Sequence, residues 1–168
     1  MRFYSHRVSS DTLFLMEVYF IMAYQGNLIT IMPYATGQTP YVIPLKYIRA
    51  ETYSVLRSGQ DIDSGRNQFG DLERYALDNF LYKVEFETVP LMTNTEMTEL
   101  MSQISARYTN AVEKKCLVRL YVPELDSYVQ QYCYVPDITF QMYYADSTEI
   151  KYNQTRIAFI GYGKGASA

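Results

Sequence analysis

The feature that most constrains the fold is a helix with a well-defined N-terminal cap. Thr93 and Glu96 have the spacing of a capping box, in which each side chain accepts a hydrogen bond from the other residue's backbone amide. Met92 and Met97 flank the box at the spacing of a hydrophobic staple. Behind the cap, apolar residues at helical spacing form one stripe of Met97, Leu100, Met101, Ile104 and Tyr108. The agreeing signals predict a helix over about residues 93–109.

The helix is expected to end at Asn110, and its apolar stripe has two interpretations. A stripe on a lone helix is typical of a face that packs on a sheet. Methionine side chains are flexible and polarisable, so the same stripe is also compatible with an adaptable groove for a partner.

Strands are predicted on both sides of the helix. Before it, the segment 80–87 alternates apolar and mostly polar residues with a period of two, which is typical of a strand with one buried face. After it, the segment 116–122 alternates in the same way, and a turn at 123–127 leads into a hairpin partner at 128–135. A further strand pair is expected from residues 138–145 and 152–160.

Three short segments near the start of the chain also favour strands, namely 28–32, 41–48 and 53–56. Prolines at 33, 40 and 44 punctuate them. Because proline cannot donate to a strand ladder, we expect these segments to be edge strands or arms rather than central strands.

This order of elements predicts an α+β fold, a mainly antiparallel sheet or sandwich with one packed α-helix. The 168 residues suit one domain, and a chain with 48% hydrophobic and 20% charged residues is expected to fold. We expect the domain to span residues 22–168. Within it, a Gly-, Asp-, Ser- and Asn-rich stretch predicts a long loop at 58–72, and a Gly- and Ala-rich end predicts a frayed tail at 161–168.

Residues 1–21 are predicted to be a non-native leader or a disordered extension. Their apolar run is too short for a transmembrane helix and is interrupted by Glu17. They lack a convincing signal-peptide cleavage site. The codons for residues 16–18 can contain a bacterial ribosome-binding sequence, which would place the natural start at Met22.

Charge and residue content argue against several classes of function. The net charge is −3 and no basic cluster stands out, which argues against nucleic acid as the main partner. No membrane partner is expected. Acid–base catalysis usually requires histidine or paired carboxylates in an apolar cleft, yet the only histidine is His6. Glu85 and Glu87 fall on the outer face of a strand. We therefore expect a protein without catalytic residues, cofactor or metal.

Two short motifs resemble binding loops but lack required residues. Asp61-x-Asp63-x-Gly65 begins like a calcium loop, but Arg66 occupies the sixth position, where glycine is needed. Leu72 occupies the twelfth position, where a glutamate is needed. The Gly-rich segment 161–165 lacks the phosphate-loop pattern and the helix that should follow it.

Cys116 and Cys133 lie on separate predicted strands. They could pair in an oxidising compartment, but nothing else in the chain suggests a disulfide framework. Two buried free thiols are the favoured interpretation.

Several motifs occur in an order typical of one protein family. The sequence DSGRN-x-x-G occupies residues 63–70 and is followed by a charged strand with Lys83 and Glu85. A T-x-x-E-x-x-x-L helix start lies at 93–100, and two further strand motifs end the series at 133–137 and 156–160. In these features the chain resembles an uncharacterised family of tail-region structural proteins of siphophages and prophages of Gram-positive bacteria. The chain has no tryptophan, whereas the family often carries one in this region.

The resemblance implies a tail-tube-like domain that assembles in the host cytoplasm and resides in the virion. Its partners would be copies of itself, as a ring or oligomer, and neighbouring tail proteins in a tube, hub or baseplate. The candidate interaction residues are in and beside the motif: Asp61, Asp63, Arg66, Asn67 and Arg74. Arg66 and Asn67 could donate hydrogen bonds to a neighbour. Alternatively, Asn67 and Asp63 could hydrogen-bond their own turn.

A different class of function is a ligand-binding or carbohydrate-binding tail-tip or surface module. The chain has 18 tyrosines, and tyrosine rings can stack on sugars. The candidates for such a face are Tyr121, Tyr128, Tyr132, Tyr143 and Tyr144.

Overall fold

The structure is a computed structural model that describes residues 24–162, apart from the side chains of Asp61, Ile62, Arg74, Ala76, Asp78 and Asn79. The predicted leader at 1–21 lies outside the described residues, as does the tail from 163 to 168. Predictions about those segments stay predictions.

Eleven elements follow one another along the described chain. The strands are β1 (Ile29–Ile31), β2 (Tyr41–Val42), β3 (Ser54–Arg66), β4 (Leu72–Glu87), β5 (Met92–Thr93), β6 (Lys115–Val122), β7 (Ser127–Tyr134), β8 (Met142–Ala145), β9 (Ile150–Tyr152) and β10 (Arg156–Gly161), and the helix is α1 (Asn94–Ser105). Short 3₁₀ turns occur at Leu45–Tyr47, Ala50–Thr52 and Pro123–Leu125.

The strands form two antiparallel sheets. The large sheet has the order β2-β1-β6-β7-β10-β4-β3, and the small sheet has the order β5-β9-β8. The β10 strand, the last in the described chain, lies between β7 and β4. The large sheet is therefore held together by pairing between segments that are distant in sequence. The predicted α+β class, mainly antiparallel with one packed helix, is confirmed for the described chain.

One apolar core joins the large sheet to the helix. Alternate residues of β6 are buried, as the sequence pattern predicted: Cys116, Val118, Leu120 and Val122. The predicted stripe of α1 contributes Met97, Leu100 and Ile104 to the same cluster, with Met101 and Tyr108 packed against it. The sheet-packing interpretation of the stripe is therefore confirmed for its inner side. Burial of these side chains stabilises the packing, because it removes apolar surface from water.

The helix is shorter than predicted, because it ends at Ser105 rather than near Asn110. The capping box is present: the Thr93 hydroxyl accepts from the Glu96 amide at 3.3 Å, and the Glu96 carboxylate accepts from the Thr93 amide at 3.1 Å. Beyond the helix, the buried Arg107 donates to the Thr39 carbonyl at 2.9 Å and to the Gln103 carbonyl at 2.9 Å. This contact holds the chain to a distant loop, and periodicity alone did not reveal it.

The β6–β7 hairpin agrees with the prediction, but the predicted pair 138–145 and 152–160 is wrong in part. The structure divides the second of these segments at Asn153–Thr155. Its start pairs with β8 in the small sheet, whereas its end becomes β10 of the large sheet. The predicted frayed tail is also wrong at its first residue, because Gly161 is buried and belongs to β10.

The expectation of edge strands near the start of the chain is wrong for β1. This strand lies between β2 and β6, and all three of its residues are buried. The prolines at 33, 40 and 44 lie outside the strands, so they do not interrupt the ladder. The edge positions belong to β2 and β3.

The predicted loop at 58–72 is wrong, since most of it belongs to a long hairpin. Residues 54–66 form β3, residues 72–87 form β4, and only residues 67–71 lie between them. Two register shifts, at Gly59/Gln60 and at Asp61/Asp63, accommodate the turn-forming residues without ending the ladder. Cross-strand pairing therefore overrides the composition that favoured a loop.

Candidate interaction surface

The tip of the β3–β4 hairpin is a turn organised by Asn67. Its side-chain oxygen accepts from the backbone amides of Phe69 at 2.9 Å and Asp71 at 3.0 Å. Gly70 has a φ of +86°, a conformation that favours glycine, and donates to the Asn67 carbonyl at 2.9 Å. Arg66 donates to the Gly70 carbonyl at 2.5 Å. These bonds give the tip a defined shape.

The structure brings the five predicted interaction residues onto one ribbon. Arg66 and Asn67 bond within the turn, so for Asn67 the alternative of a self-bonded turn is confirmed. Asp63 is exposed and lies opposite Tyr75 in the register. The backbones of Asp61 and Arg74 pair with Ala76 and Ser64, but the side chains of Asp61 and Arg74 lie outside the described part of the chain. Contact of these five residues with another protein stays a proposal.

Apolar side chains are exposed on both faces of the outer half of the hairpin. Leu72 is 64% exposed, and Tyr75, which lies on the opposite face of β4, is 63% exposed. Phe69, at the tip, is 79% exposed. Side chains alternate between the two faces of a strand, so a covering core on one side would leave only one face apolar and exposed. Within the part of the chain that the structure describes, neither face of this ribbon is therefore covered.

The base of the hairpin is anchored to the β6–β7 turn. The Arg57 guanidinium lies 3.8 Å from the centre of the Phe80 ring, and its Nη1 is 3.0 Å from the Glu124 carboxylate. Tyr82, further toward the core on β4, is buried. The hairpin thus changes from a buried part of the large sheet into an exposed ribbon near Gly59 and Phe80.

The β3 strand also has a free backbone edge. It is the last strand of the large sheet in the described chain, and its 13 residues contrast with the 2 residues of β2 at the other edge. An exposed strand edge presents unpaired amide and carbonyl groups, which can pair with another chain. The β3–β4 hairpin therefore combines a long free strand edge with exposed apolar side chains.

A second exposed apolar surface is a groove beside the outer side of α1. It has a volume of about 400 Å³ and is lined by Met97, Thr98, Met101, Ser102, Ser105, Phe140 and Tyr152. A neighbouring hollow of about 320 Å³ shares Met101 and Phe140 with it. The two methionines of the predicted stripe thus contribute to the core and to an open surface at the same time.

The five candidate tyrosines do not form one face. Tyr121 and Tyr128 pack against each other with ring centres 5.5 Å apart, and Lys115 lies 5.0 Å above the ring of Tyr132. These three belong to the large sheet, whereas Tyr143 and Tyr144 belong to β8 of the small sheet. A sugar-stacking platform made of all five is not assembled in the described chain.

The two cysteines are free and buried, which confirms the favoured interpretation. Cys116 and Cys133 lie opposite each other in the β6–β7 register. Burial raises the pKa of each thiol to about 12, so neither forms a thiolate readily at neutral pH.

The described residues contain neither a metal-binding cluster nor a membrane-spanning helix. Among the side chains that the structure describes between residues 24 and 162, no group of three or more His, Cys, Asp or Glu is arranged to hold a metal ion. In the same range no helix has the length and apolarity needed to span a membrane.

The chain belongs to a family of unknown function, DUF6711, whose model matches residues 22–162. No curated protein matches the chain. Among solved structures, the chain is similar to a chain in the tail of an empty GTA particle, determined by helical refinement with C6 symmetry. Identity is 17%, coverage is 86% of this chain and 96% of that one, and the TM-score is 0.46. A chain in the virion of a native gene transfer agent particle is similar at 15% identity, with the same coverages and a TM-score of 0.44. At these values, the role of the protein has to be argued from its own residues.

Sequence reasoning identified the turn residues but missed the apolar side chains that the hairpin exposes. Phe69, Leu72 and Tyr75 lie in or next to a segment whose composition predicts a loop. The signal that could have revealed them is the occurrence of large apolar residues within a polar stretch. In a solvated loop such residues would be exposed to water without a packing partner.

Proposed function

We propose that the protein is a non-enzymatic structural component of a bacteriophage or prophage tail, in the tube, hub or baseplate. It acts through contacts with copies of itself and with neighbouring tail proteins. The motif resemblance supports the setting, and the geometry of the β3–β4 hairpin supports the mode of action.

The observation that carries the proposal is the exposure of apolar side chains on both faces of the hairpin. Large apolar side chains that are exposed close together on one element are typical of association sites, because covering them with another chain removes their surface from water. Here they lie on a ribbon with a free strand edge, so another chain can cover the side chains and pair with the backbone. In a protein that assembles, such a surface is exposed in the free subunit and becomes buried when the partner binds.

The arrangement of charges supports a structural rather than a catalytic role. A hollow of about 390 Å³ lies between Lys83, Arg156 and Asp137. Its charged groups are paired, since Lys83 and Arg156 both contact Glu85, while Lys114 donates to Asp137 at 2.5 Å. Lys83 and Arg156 hold the pKa of the Glu85 carboxyl below its ordinary value. Catalytic acids and bases usually have pKa values shifted toward neutrality, which is the opposite direction for a carboxyl group.

The test is the state of association of the full chain, alone and together with its neighbouring tail proteins. Light scattering coupled to size exclusion should give masses above the monomer, and negative-stain images should show rings or tube segments. Mass spectrometry of purified particles should find the chain in the virion. A monomer under every condition, including the presence of the neighbouring proteins, would contradict the proposal.

A further inference from the structure

We propose that the outer halves of the β3–β4 hairpins of successive copies stack face on face, with the basic face of one hairpin covering the acidic face of the next. The acidic face carries Asp63, Glu73, Tyr75 and Leu77, and the basic face carries Arg66 and Leu72. This inference rests on the proposed function, because it requires that copies associate. It names the partner of each exposed face.

The strand register separates the two faces. Four consecutive cross-strand pairs follow one another without a shift: Asp63 with Tyr75, Ser64 with Arg74, Gly65 with Glu73, and Arg66 with Leu72. Directly paired residues share a face, and successive residues of a strand alternate between faces. Asp63 and Glu73 therefore lie on the same face, and Arg66 lies on the opposite one.

The charges on the two faces are opposite and exposed. None of Asp63, Glu73 and Arg66 forms an ion pair with another described side chain. Glu73 accepts a hydrogen bond from the Asn67 amide at 3.3 Å, and Arg66 donates to a backbone carbonyl of the turn. In the backbone register, residues 74 and 61 also belong to the basic face, but their formal charges are opposite, so Arg66 sets its sign.

Each face also has apolar area to cover. On the acidic face Tyr75 is 63% exposed and Leu77 is 45% exposed, and on the basic face Leu72 is 64% exposed. Gly65 belongs to the acidic face, and nothing lies within 4 Å of the position that its Cβ would take. The resulting recess beside Glu73 can accommodate an apolar side chain such as the Leu72 of the next copy.

A second copy of the hairpin is the occupant that matches both faces. Each face finds its complement, opposite in charge and also apolar, on the other side of the same ribbon. Stacking two acidic faces would instead place like charges together, which disfavours a symmetric contact. A contact between unlike faces is head-to-tail, and it generates rings or filaments when it is repeated. Every copy inside such a stack has both faces covered.

The charges orient the stack, and the apolar side chains hold it. Exposed ion pairs contribute little affinity, whereas charge complementarity sets which surfaces meet and how fast. Burial of the leucine and tyrosine side chains supplies the affinity. One ribbon face is smaller than the roughly 800 Å² that a stable interface covers on each partner, so repetition around a closed ring has to add avidity.

The experiment reverses the charges on one face at a time in the full-length chain. One variant carries Asp63→Lys and Glu73→Lys, and the other carries Arg66→Glu. Each variant alone has like charges on its two faces, so its self-association should be roughly tenfold weaker than that of the parent at low salt. Light scattering over a concentration series measures the apparent dissociation constant, and urea unfolding verifies that each variant is folded.

Mixing the two variants is the decisive measurement. In an equimolar mixture, the reversed acidic face of one variant meets the reversed basic face of the other, and the two unaltered faces also complement each other. The mixture should therefore recover the parental dissociation constant, as should a chain with all three substitutions. The matched control, Glu99→Lys with Glu113→Lys, makes the same change in net charge at exposed positions away from the hairpin and should associate like the parent. At about 1 M sodium chloride all variants should approach the parental value, because exposed charges are screened.

The outcomes that overturn the inference are distinct from those that overturn the proposed function. Variants that associate like the parent, or a mixture that associates no better than either variant alone, would reject the stack while leaving self-association through another surface. A parent chain that is monomeric by itself would also reject the stack. Only if that chain in addition failed to bind its neighbouring tail proteins would the proposed function be rejected.

Discussion

Gly161 occupies a position where the packing leaves no space for a side chain. A Cβ there would lie 2.9 Å from the Tyr82 carbonyl oxygen and 3.1 Å from the Gln131 amide. The Gln131 side chain occupies this space. Just past the end of β10, it hydrogen-bonds to the backbone of β4 in place of a neighbouring strand. Its amide nitrogen donates to the Tyr82 carbonyl at 2.5 Å, and its oxygen accepts from the Tyr82 amide at 3.2 Å. One side chain thus links β7 to β4.

A Gly161→Ala substitution should destabilise the protein by about 1–3 kcal/mol, the usual cost of forcing extra volume into a packed site. The added methyl group meets backbone, which cannot move aside cheaply. Urea unfolding followed by circular dichroism measures the change. Gly65→Ala is the matched control, because nothing lies within 4 Å of its added Cβ. Equal effects of the two substitutions would contradict the close packing described for Gly161.

The two thiols should be unreactive in the folded protein. Burial raises the pKa of Cys116 and Cys133 to about 12. At pH 8 the reactive thiolate is then a minor species, and the reagent has no access to it. Ellman's reagent at pH 8 should label neither thiol in native protein and both in denaturant. A Gln130→Cys variant supplies an exposed thiol that reacts at once, and rapid labelling of the native protein would show that the β6–β7 hairpin opens readily.

At the scale of elements, α1 begins where local sequence dictates. Thr93→Ala should destabilise the protein by about 1 kcal/mol, because it removes the acceptor for the Glu96 amide. Thr95→Ala, at an exposed position two residues later, should have little effect or a slight stabilising one. Thermal and urea unfolding of both variants test the prediction. Equal losses would show that the capping box contributes nothing to stability.

The β3–β4 hairpin should affect association more than stability. Replacing Leu72 and Tyr75 with serine removes exposed apolar area but leaves the core intact. We expect the free energy of unfolding, measured with urea, to stay within about 0.5 kcal/mol of the parent value, the usual range for surface substitutions. The mass measured by light scattering should fall toward the monomer.

Val112→Ser provides the control for the hairpin variant. Val112 is 94% exposed and lies away from the hairpin, so its replacement should change neither stability nor mass. If the hairpin variant instead unfolded early and kept its mass, the ribbon would be a stabilising part of the monomer rather than an interface.

The elements differ in how far the sequence predicted them. The start of α1 and the strand β6 were predicted correctly because their signals, a cap and a strict alternation, are local. The hairpin was taken for a loop because Gly, Asp, Ser and Asn disfavour strands, while the partner strand that holds them is itself part of the same hairpin. The exposure of Phe69 at the hairpin tip was not predicted for the same reason.

At the scale of the whole molecule, association should rest on apolar contacts rather than on ion pairs. The candidate surfaces are lined mainly by Phe, Leu, Tyr and Met side chains. We therefore expect assemblies to persist at about 1 M sodium chloride, where the Debye length is about 3 Å and exposed charges are screened. Light scattering at low and high salt measures this. Dissociation on adding salt would point to an electrostatic interface elsewhere on the molecule.

By itself, the sequence determined the α+β class, the capped start of α1 and the alternating faces of β6, because each depends on residues a few positions apart. Only the tertiary structure decided that β1 is central, that β10 enters between β7 and β4, and that residues 54–87 extend as one hairpin. These features depend on pairing between distant segments, whose free energy is not readable from any one of them. The exposure of Phe69 has the same cause, since the packing of the whole fold decides which side chains stay uncovered.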